Sequence, residues 1–298
     1  MQHKQINISL WDILTTKVED YKLLVKLRLS SIVVFSAGIG YIFAAGNMLN
    51  IPNLLLLLLG GFLITGASNA FNEIIEKDSD KLMKRTANRP LAANRMSVSE
   101  AILVAGVMGV TGIFILAFFL NMESALVGAI SLLIYSFIYT PLKKVSNIAV
   151  FVGAIPGALP PVIGWLSFNG NIGMGALILF SIQFLWQFPH FWAIAWVLFD
   201  DYKAAGFHLL PSAEGRDRNS AVQNIIYIAF LIPVSLLPYL LGFTGIISAA
   251  AILICGSIFL WQAWRLYISC SAKAAKQLMI GSFFYLPIVL LALIFDKI

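Results

Sequence analysis

The chain has 298 residues, of which 60% are hydrophobic and only 11% are charged. Its mean hydropathy is +0.88, whereas a soluble protein of this length carries roughly 25% charged residues. This composition excludes an ordinary soluble domain and indicates an integral membrane protein. The net charge of +6 would also suit a nucleic-acid binder, but the distribution of the basic residues along the chain argues for membrane topology instead.

Nine apolar runs are each long enough to cross a bilayer as a helix. Residues 1–29, before the first run, mix acidic and basic side chains and predict a cytoplasmic N-terminal segment, with no secretory signal or transit peptide. We therefore predict an all-α integral membrane protein with about nine transmembrane helices in one bundle, forming one membrane-embedded domain over residues 1–298. The runs lie at residues 30–47, 54–75, 99–120, 124–140, 147–168, 173–199, 221–242, 244–264 and 277–295.

The basic residues predict the orientation of this bundle. An odd number of spans places the two termini on opposite faces of the membrane. With the N-terminus in the cytoplasm, nineteen of the 20 Lys and Arg residues lie inside, and Lys297 alone lies outside. Because short cytoplasmic segments are enriched in Lys and Arg, we predict a cytoplasmic N-terminus and a C-terminus on the outer side.

The stretch NEIIEKDSD, residues 72–80, concentrates acidic side chains at the end of the second run. Asn72, Glu76 and Asp80 are spaced i, i+4 and i+8, so on a helix they stack along one face, with Glu73 beside them. A column of oxygen donors without an equal column of cations suits Mg²⁺, which is usually shared with substrate phosphates. The alternative is a solvated loop with incidental ion pairs.

Basic side chains follow this column and suit an anionic ligand. Arg85 and Arg89 can each hold a phosphate by two hydrogen bonds. Lys143, Lys144 and Lys203 add positive charge on the same face, although a pair such as Lys143 and Lys144 is also typical of a simple topology marker. Together with the carboxylates, these residues favour a diphosphate ester whose tail lies in the membrane.

A second acidic pair follows the sixth run. Asp200 and Asp201 are adjacent at a membrane boundary and precede Lys203. Facing the first column across a bundle, they would hold a second Mg²⁺, although the pair alone is a weak signal.

Four stretches carry a resemblance to a known family. NEIIEKDSD resembles the first aspartate-rich motif of the UbiA superfamily of intramembrane prenyltransferases, N-[DE]-x-x-[DE]-x-x-x-D. DKLMKRTANRPL, GAIPGALPPVIGW and WQFPHFWAIAW are similar to the protohaem IX farnesyltransferases, or haem O synthases. Two departures from the superfamily pattern occur. Glu76 stands where many members have Asp. The second motif, commonly D-x-x-x-D across the superfamily, here has Ala204 or Ala205 at its far end. Haem-modifying members also tend to read DDYxxAG there.

The resemblance implies transfer of farnesyl from farnesyl diphosphate to the 2-vinyl group of haem B, giving haem O, with Mg²⁺ as cofactor. It also implies a place in the inner (cytoplasmic) membrane with the active site toward the cytoplasm. A haem A synthase or a terminal oxidase assembly is a candidate protein partner, and no nucleic acid is expected. The alternatives are an aromatic prenyltransferase of quinone biosynthesis and a secondary transporter, whose charges would lie at mid-bilayer.

Two apolar stretches are candidates for the walls of the substrate cavity. The Gly- and Pro-rich segment GAIPGALPPVIGW would break a plain helix, and such backbone is tolerated at membrane depth where it is buried or lines a cavity. We interpret it as part of the porphyrin or farnesyl wall, with a structural kink as the alternative.

The aromatic residues of the sixth run offer π surface for an allylic cation, with lipid or core packing as the alternative. These residues are Phe184, Trp186, Phe188, Phe191, Trp192 and Trp196.

His190 is the one histidine inside a predicted span, and it follows Pro189. Neutral imidazole is a common axial ligand of haem iron, so we predict that His190, with Trp186 and Phe191, contacts the porphyrin. The alternatives are a core histidine that hydrogen-bonds to Gln187, and ligation of the haem by His208 instead.

Overall fold

Residues 10–298 are described by the computed structural model, and the regular elements in this range are helices, apart from an isolated bridge between Thr244 and Lys297. Within this range nine helical stretches are long and apolar enough to cross a membrane, which confirms the predicted all-α architecture and span number. Lys4, one of the basic residues counted as cytoplasmic, lies outside the described residues. The nine stretches are Leu27–Met48, Ile51–Asp80, Val98–Leu120, Met122–Leu142, Ile148–Asn169, Met174–Val197, Arg218–Leu240, Ile246–Ser269 and Ala272–Phe295.

The α-helices are numbered in chain order. Two π-helical segments, Leu116–Leu120 and Ile134–Tyr139, continue α4 and α5 respectively. The α-helices are α1 Leu10–Leu24, α2 Leu27–Ala45, α3 Ile51–Asp80, α4 Val98–Ile115, α5 Met122–Leu133, α6 Thr140–Leu142, α7 Ile148–Ala158, α8 Pro160–Asn169, α9 Met174–Val197, α10 Phe199–Ala204, α11 Arg218–Leu240, α12 Ile246–Ser269 and α13 Ala272–Phe295.

The longest helix, α3, carries the acidic column. Asn50 caps its N-terminus, where the side chain accepts a hydrogen bond from the backbone N–H of Asn53, and the helix runs for 30 residues from Ile51 to Asp80. The apolar run predicts a shorter span, residues 54–75, but no Pro or Gly interrupts the chain between Gly66 and Asp80. The helix therefore continues through the polar stretch, and the predicted i, i+4, i+8 stacking is confirmed.

The spans pack so that the first and the last are in contact. α2 packs against α3, α8 and α13, while α9 packs against α11 and α13. The C-terminus closes this arrangement, because Lys297 Nζ donates a hydrogen bond of 2.6 Å to the Phe43 carbonyl at the end of α2. Asp296 also accepts a hydrogen bond of 2.7 Å from the backbone N–H of Ser248, in the first turn of α12.

The Gly- and Pro-rich segment breaks the fifth span into α7 and α8, as its prolines predict. Its glycines face protein and not an open cavity. A side chain at Gly153 would meet the Tyr139 ring, one at Gly157 would meet Gln187, and one at Gly164 would meet the backbone carbonyl of α2 at Ala37. Small residues therefore allow close helix contacts at these three positions, which favours the structural alternative there, and the role of the stretch as a ligand wall stays a prediction.

Large apolar side chains cover the outer surface of the bundle. Leu103 is 67% exposed, Phe118 is 71% exposed and Ile247 is 70% exposed. Such exposure around most of a bundle is expected only where lipid replaces water as the solvent. The protein interior, in contrast, buries aromatic residues between α9, α11, α12 and α13, among them Trp196, Phe188, Phe259 and Tyr285.

Candidate functional site

The acidic column of α3 is buried inside the protein. Asn72, Glu73, Glu76 and Asp80 are each at most 4% exposed. The sequence places Glu73 only at the border of the column, yet it is as deeply buried as the others. Four adjacent buried polar side chains, three of them carboxylates, are costly unless charged or hydrogen-bonding partners meet them.

Basic side chains from other segments supply those partners. Arg89, in the loop after α3, places Nη1 2.7 Å from Asp80 Oδ2 and Nε 3.4 Å from Glu73 Oε1. Lys143, after α6, forms an ion pair with Glu76. The expectation that no equal set of cations meets the carboxylates is therefore wrong. Arg89 and Lys143, which lie outside α3, pair with the column in the folded protein.

Two polar residues complete the head of the column at Asn72. Lys26 Nζ donates a hydrogen bond of 2.7 Å to Asn72 Oδ1, and Asn72 Nδ2 donates one of 3.2 Å to Thr140 Oγ1. Lys26 lies in the two-residue link between α1 and α2 and has φ 48°, the left-handed region that non-glycine residues rarely adopt. Sequence reasoning missed Lys26 and Thr140, since nothing in their neighbourhood distinguishes them from a topology marker and a buried hydroxyl.

Burial and neighbouring charges shift the pKa values of Arg89 and Lys26, which lie outside the spans. Burial opposes the charged form of Arg89, but Asp80 and Glu73 outweigh it and hold the pKa of Arg89 above its usual value. Burial, reinforced by the positive charge of Arg89, lowers the pKa of Lys26 to about 7.

The chemistry of the cluster fits a hard cation. Glu73 Oε2 and Asp80 Oδ1 are buried and accept no hydrogen bond from any residue in the range 10–298. Glu73 Oε1 and Glu76 Oε1 have ion-pair partners, Arg89 and Lys143, but lack hydrogen-bond geometry. Carboxylate and amide oxygens with spare lone pairs are the ligands that Mg²⁺ prefers. As they stand, however, no three His, Cys, Asp or Glu side chains of the described chain are grouped to hold a metal ion.

The second acidic pair lies beside the first cluster without direct ion pairs to it. Asp200 is 82% exposed at its side chain and pairs with Arg216 at 3.2 Å, while Asp201 is half-buried. The loops themselves meet, since Met83 packs against Ala205 and Phe207. The pairing of Asp200 and Asp201 with the α3 column through metal ions stays a prediction.

The remaining predicted diphosphate ligands are distributed around this loop contact. Arg85 is exposed, and its Nη2 lies 3.5 Å from Tyr202 Oη in α10. Lys143 is buried between the rings of Tyr139 and Phe207, at 4.9 and 5.3 Å from the ring centroids, which argues against the topology-marker alternative. Lys144 and Lys203 are exposed.

His190 lies between α9 and α13, away from the acidic column. Its Nδ1 is 2.8 Å from Ser282 Oγ, and its ring stacks on Trp186 at 4.4 Å and meets Phe283 at 5.1 Å. Gln187 is not its partner, because Gln187 Nε2 donates to the carbonyls of Ala154 and Gln183.

The aromatic residues of α9 divide into two sets. Phe188 and Trp192 are buried against Tyr227 of α11, at centroid distances of 4.4 and 5.0 Å, and Trp196 is fully buried. These three are core residues, as the packing alternative predicts. Phe191 is half-buried and contacts His190 at 5.5 Å, so with Trp186 it remains a candidate for porphyrin contact.

Comparison with known proteins gives consistent results at the levels of sequence and fold. The family model described as the UbiA prenyltransferase family matches residues 33–288. A protein named protoheme IX farnesyltransferase from Cytophaga hutchinsonii is 50% identical over 285 residues, which cover 96% of this chain and 100% of that one. Its namesake from Flavobacterium psychrophilum is 44% identical, covering 93% and 94% of the two chains.

Solved structures share the fold at much lower identity. A structure described as digeranylgeranylglyceryl phosphate synthase aligns with a TM-score of 0.79 at 21% identity, covering 94% of this chain and 98% of that one. A UbiA homologue from Archaeoglobus fulgidus bound to GPP and Mg²⁺ aligns with a TM-score of 0.66 at 16% identity, covering 92% and 99%. From its family-model match and its relatives, the chain belongs to the UbiA prenyltransferase family of multi-pass membrane proteins.

Proposed function

We propose that this chain transfers farnesyl from farnesyl diphosphate to the 2-vinyl group of haem B, making haem O. The observation that carries the proposal is the near full-length similarity, at up to 50% identity, to proteins named protoheme IX farnesyltransferase. The buried acidic column at the end of α3, with Arg89 and Lys143 in contact with it, supports a diphosphate-cleaving site. Because these groups lie at a span end, the diphosphate sits at the interface and the farnesyl tail in the apolar region.

The reaction breaks the farnesyl C1–O bond, the vinyl π bond and one O–H bond of water, and it forms one carbon–carbon bond and one carbon–oxygen bond. The bond between farnesyl C1 and the diphosphate oxygen breaks, and its electron pair leaves with the diphosphate. The vinyl π electrons form the new carbon–carbon bond at C1, and water adds to the other vinyl carbon and releases one proton. No strong base is needed for the first bond, but water must be kept from the farnesyl cation until that bond has formed.

In this proposal Asn72, Glu73, Glu76 and Asp80 hold Mg²⁺, with Asp200 and Asp201 holding a second ion. Bound Mg²⁺ neutralises charge on the leaving diphosphate. Arg89 and Lys143 are placed to contact the same diphosphate, because they already lie on the carboxylates. Arg85, Lys144 and Lys203 approach it from the loop surface, where their exposed cations attract an anion.

His190, Trp186 and Phe191 form the porphyrin contact of the proposal. They lie on one side of α9, where His190 is held by Ser282 of α13. A neutral imidazole there is suited to haem iron.

The location of the enzyme and the proteins that receive its product follow from the same assignment. The enzyme lies in the inner membrane with its site toward the cytoplasm, since all but one of the Lys and Arg residues fall on that side of the predicted topology. Its haem O passes to a haem A synthase or to a terminal oxidase assembly.

The deciding experiment is chromatography of haems extracted from cells with and without this chain. We expect haem O only where the chain is expressed, and none in a strain carrying Glu76→Gln. Unchanged haems together with a prenylated quinone precursor would overturn the haem assignment in favour of an aromatic acceptor.

A further inference from the structure

The helix α1 presents an apolar stripe to the outside of the protein. Trp11 is 73% exposed, Leu14 is 58% exposed and Val18 is 50% exposed. At 100° per residue these three positions fall on one side of the helix. Lys22 is exposed beside the stripe, and a basic residue next to an apolar stripe is typical of helices that lie in a membrane interface.

Polar contacts beside the stripe and across the helix from it hold α1 on the bundle. Lys17 Nζ lies 2.9 Å from Glu100, Tyr21 Oη donates a hydrogen bond of 2.8 Å to the same carboxylate, and Asp20 pairs with Arg95 at 2.9 Å. These contacts fix the rotation of α1, so the stripe has one direction relative to the spans.

The same contacts fix the depth of α1. Glu100 lies in the first turn of the span that begins at Val98, and α2 enters its span at Leu27, three residues after α1 ends at Leu24. Lys17 and Leu24 are about 10 Å apart along the helix axis. Since both points lie at the level where spans begin, α1 runs along the interface and does not project away from it.

We propose that the stripe of Trp11, Leu14 and Val18 is seated in the headgroup layer of the membrane that the spans cross. The argument for lipid as the occupant is continuity. At the depth of α1 the spans α2 and α4 begin, and both carry exposed apolar side chains, Ile32 on α2 and Leu103 and Val107 on α4, so the stripe and the lipid-facing surface of the spans start at the same level.

Spin labels on the full-length protein in phospholipid nanodiscs test this proposal. Cys255 and Cys270 are first replaced by Ala, and one nitroxide is attached to Leu14→Cys, Val18→Cys or the control Glu19→Cys, an exposed position on another side of α1. We expect the ratio of oxygen to nickel-chelate accessibility to be several-fold higher at positions 14 and 18 than at 19. Equal ratios would show a water-facing stripe, and labels shielded from both reagents would show a protein-covered one. Either result overturns the proposal.

A separate observation concerns the π-helical segment before Thr140. The backbone N–H and the Oγ1 hydroxyl of Thr140 both donate to the carbonyl of Tyr135, the hydroxyl at 2.8 Å. The hydroxyl proton is thereby used, so buried Thr140 Oγ1 can only accept the 3.2 Å hydrogen bond from Asn72 Nδ2.

This bond determines which end of the Asn72 amide faces the cluster. Turned round, Oδ1 would meet the Thr140 hydroxyl oxygen, whose proton is already donated to Tyr135, and neither oxygen would have a proton to donate. We infer that Thr140 is a positioning residue that directs Asn72 Oδ1 toward the metal ligands. This inference rests on the proposed function only for the presence of the metal.

Mn²⁺ binding, measured by EPR with farnesyl thiodiphosphate present, tests the role of Thr140. Thr140→Val keeps the shape and removes the hydroxyl, and we expect it to weaken Mn²⁺ affinity by about 10- to 100-fold, as for other groups that orient a metal ligand. Thr140→Ser is expected to stay within about twofold of the parent, because it keeps the hydroxyl that orients the ligand.

Ser136→Ala is the matched control, because Ser136 Oγ is buried in the same segment and has no hydrogen-bond partner among residues 10–298. Wild-type affinity in Thr140→Val, loss in Thr140→Ser, or no Mn²⁺ bound by the parent would each overturn the inference. Failure of the haem assignment alone would appear in the haem chromatogram, with this pattern of affinities intact.

Discussion

Replacing Arg89 should destabilise the whole protein, because one guanidinium holds two buried carboxylates. Arg89 contacts Asp80 at 2.7 Å and Glu73 at 3.4 Å, and both acids are 1% exposed at their side chains. Breaking a buried pair by removing one partner costs about 3–5 kcal/mol, so Arg89→Met should lose about that much unfolding free energy. Arg89→Lys keeps the charge but cannot span both acids, and the loss of one charged contact should cost about 1.5–3 kcal/mol.

These losses are measured by unfolding the protein in mixed micelles with increasing SDS. The extent of unfolding is read from alkylation of the free thiols of Cys255 and Cys270. Lys81→Met is the control, because it removes an exposed ion pair with Asp78, whose side chain is 74% exposed. Such surface pairs contribute little to stability, because water and salt screen them. If Arg89→Met unfolds with the same free energy as Lys81→Met, the buried ion pairs do not hold the cluster together and the reasoning fails.

Four further variants test the roles assigned in the proposed site. Asp80→Asn and Asp201→Asn should each abolish haem O formation in a protein that still inserts in the membrane, because each removes a metal-binding charge; normal turnover at saturating Mg²⁺ would contradict this. Arg85→Lys should raise the requirement for farnesyl diphosphate more than that for haem, because the two-point phosphate contact is lost, and equal effects on both substrates would count against it. His190→Ala should shift the Soret band and weaken haem binding with little change in farnesyl diphosphate affinity. A shift in His208→Ala alone would move the haem ligand to that residue.

The spans and the acidic column were predictable because each depends on local sequence. A bilayer requires about 20 apolar residues per helix, and runs such as those at residues 54–75 and 99–120 meet that requirement without information from other parts of the chain. The column follows from helix periodicity alone once α3 continues to Asp80.

The partners of the column were not predictable, because they depend on which loops meet. Lys26 is 46 residues from Asn72 in sequence, and Lys143 reaches Glu76 from the far end of a π-helical segment. Gly164 presents the same difficulty. Its sequence indicates a close approach, but only the packing of α8 on α2 shows that the approaching group is backbone and not ligand.

These pairings lead to a last prediction, that metal and diphosphate bind cooperatively. Arg89 and Lys143 are the partners of Asp80, Glu73 and Glu76, so a metal ion alone would have to displace them and leave two buried cations without acidic partners. A diphosphate gives those cations new partners, while the metal takes the carboxylates. Each ligand should therefore raise the affinity for the other by the same factor, by thermodynamic linkage, and typical coupling is about 5- to 150-fold. Mn²⁺ titrations by EPR with and without farnesyl thiodiphosphate measure this factor, with Lys81→Met as a control in which it should not change. Equal Mn²⁺ affinity in both titrations would show that the carboxylates bind metal without releasing Arg89 and Lys143.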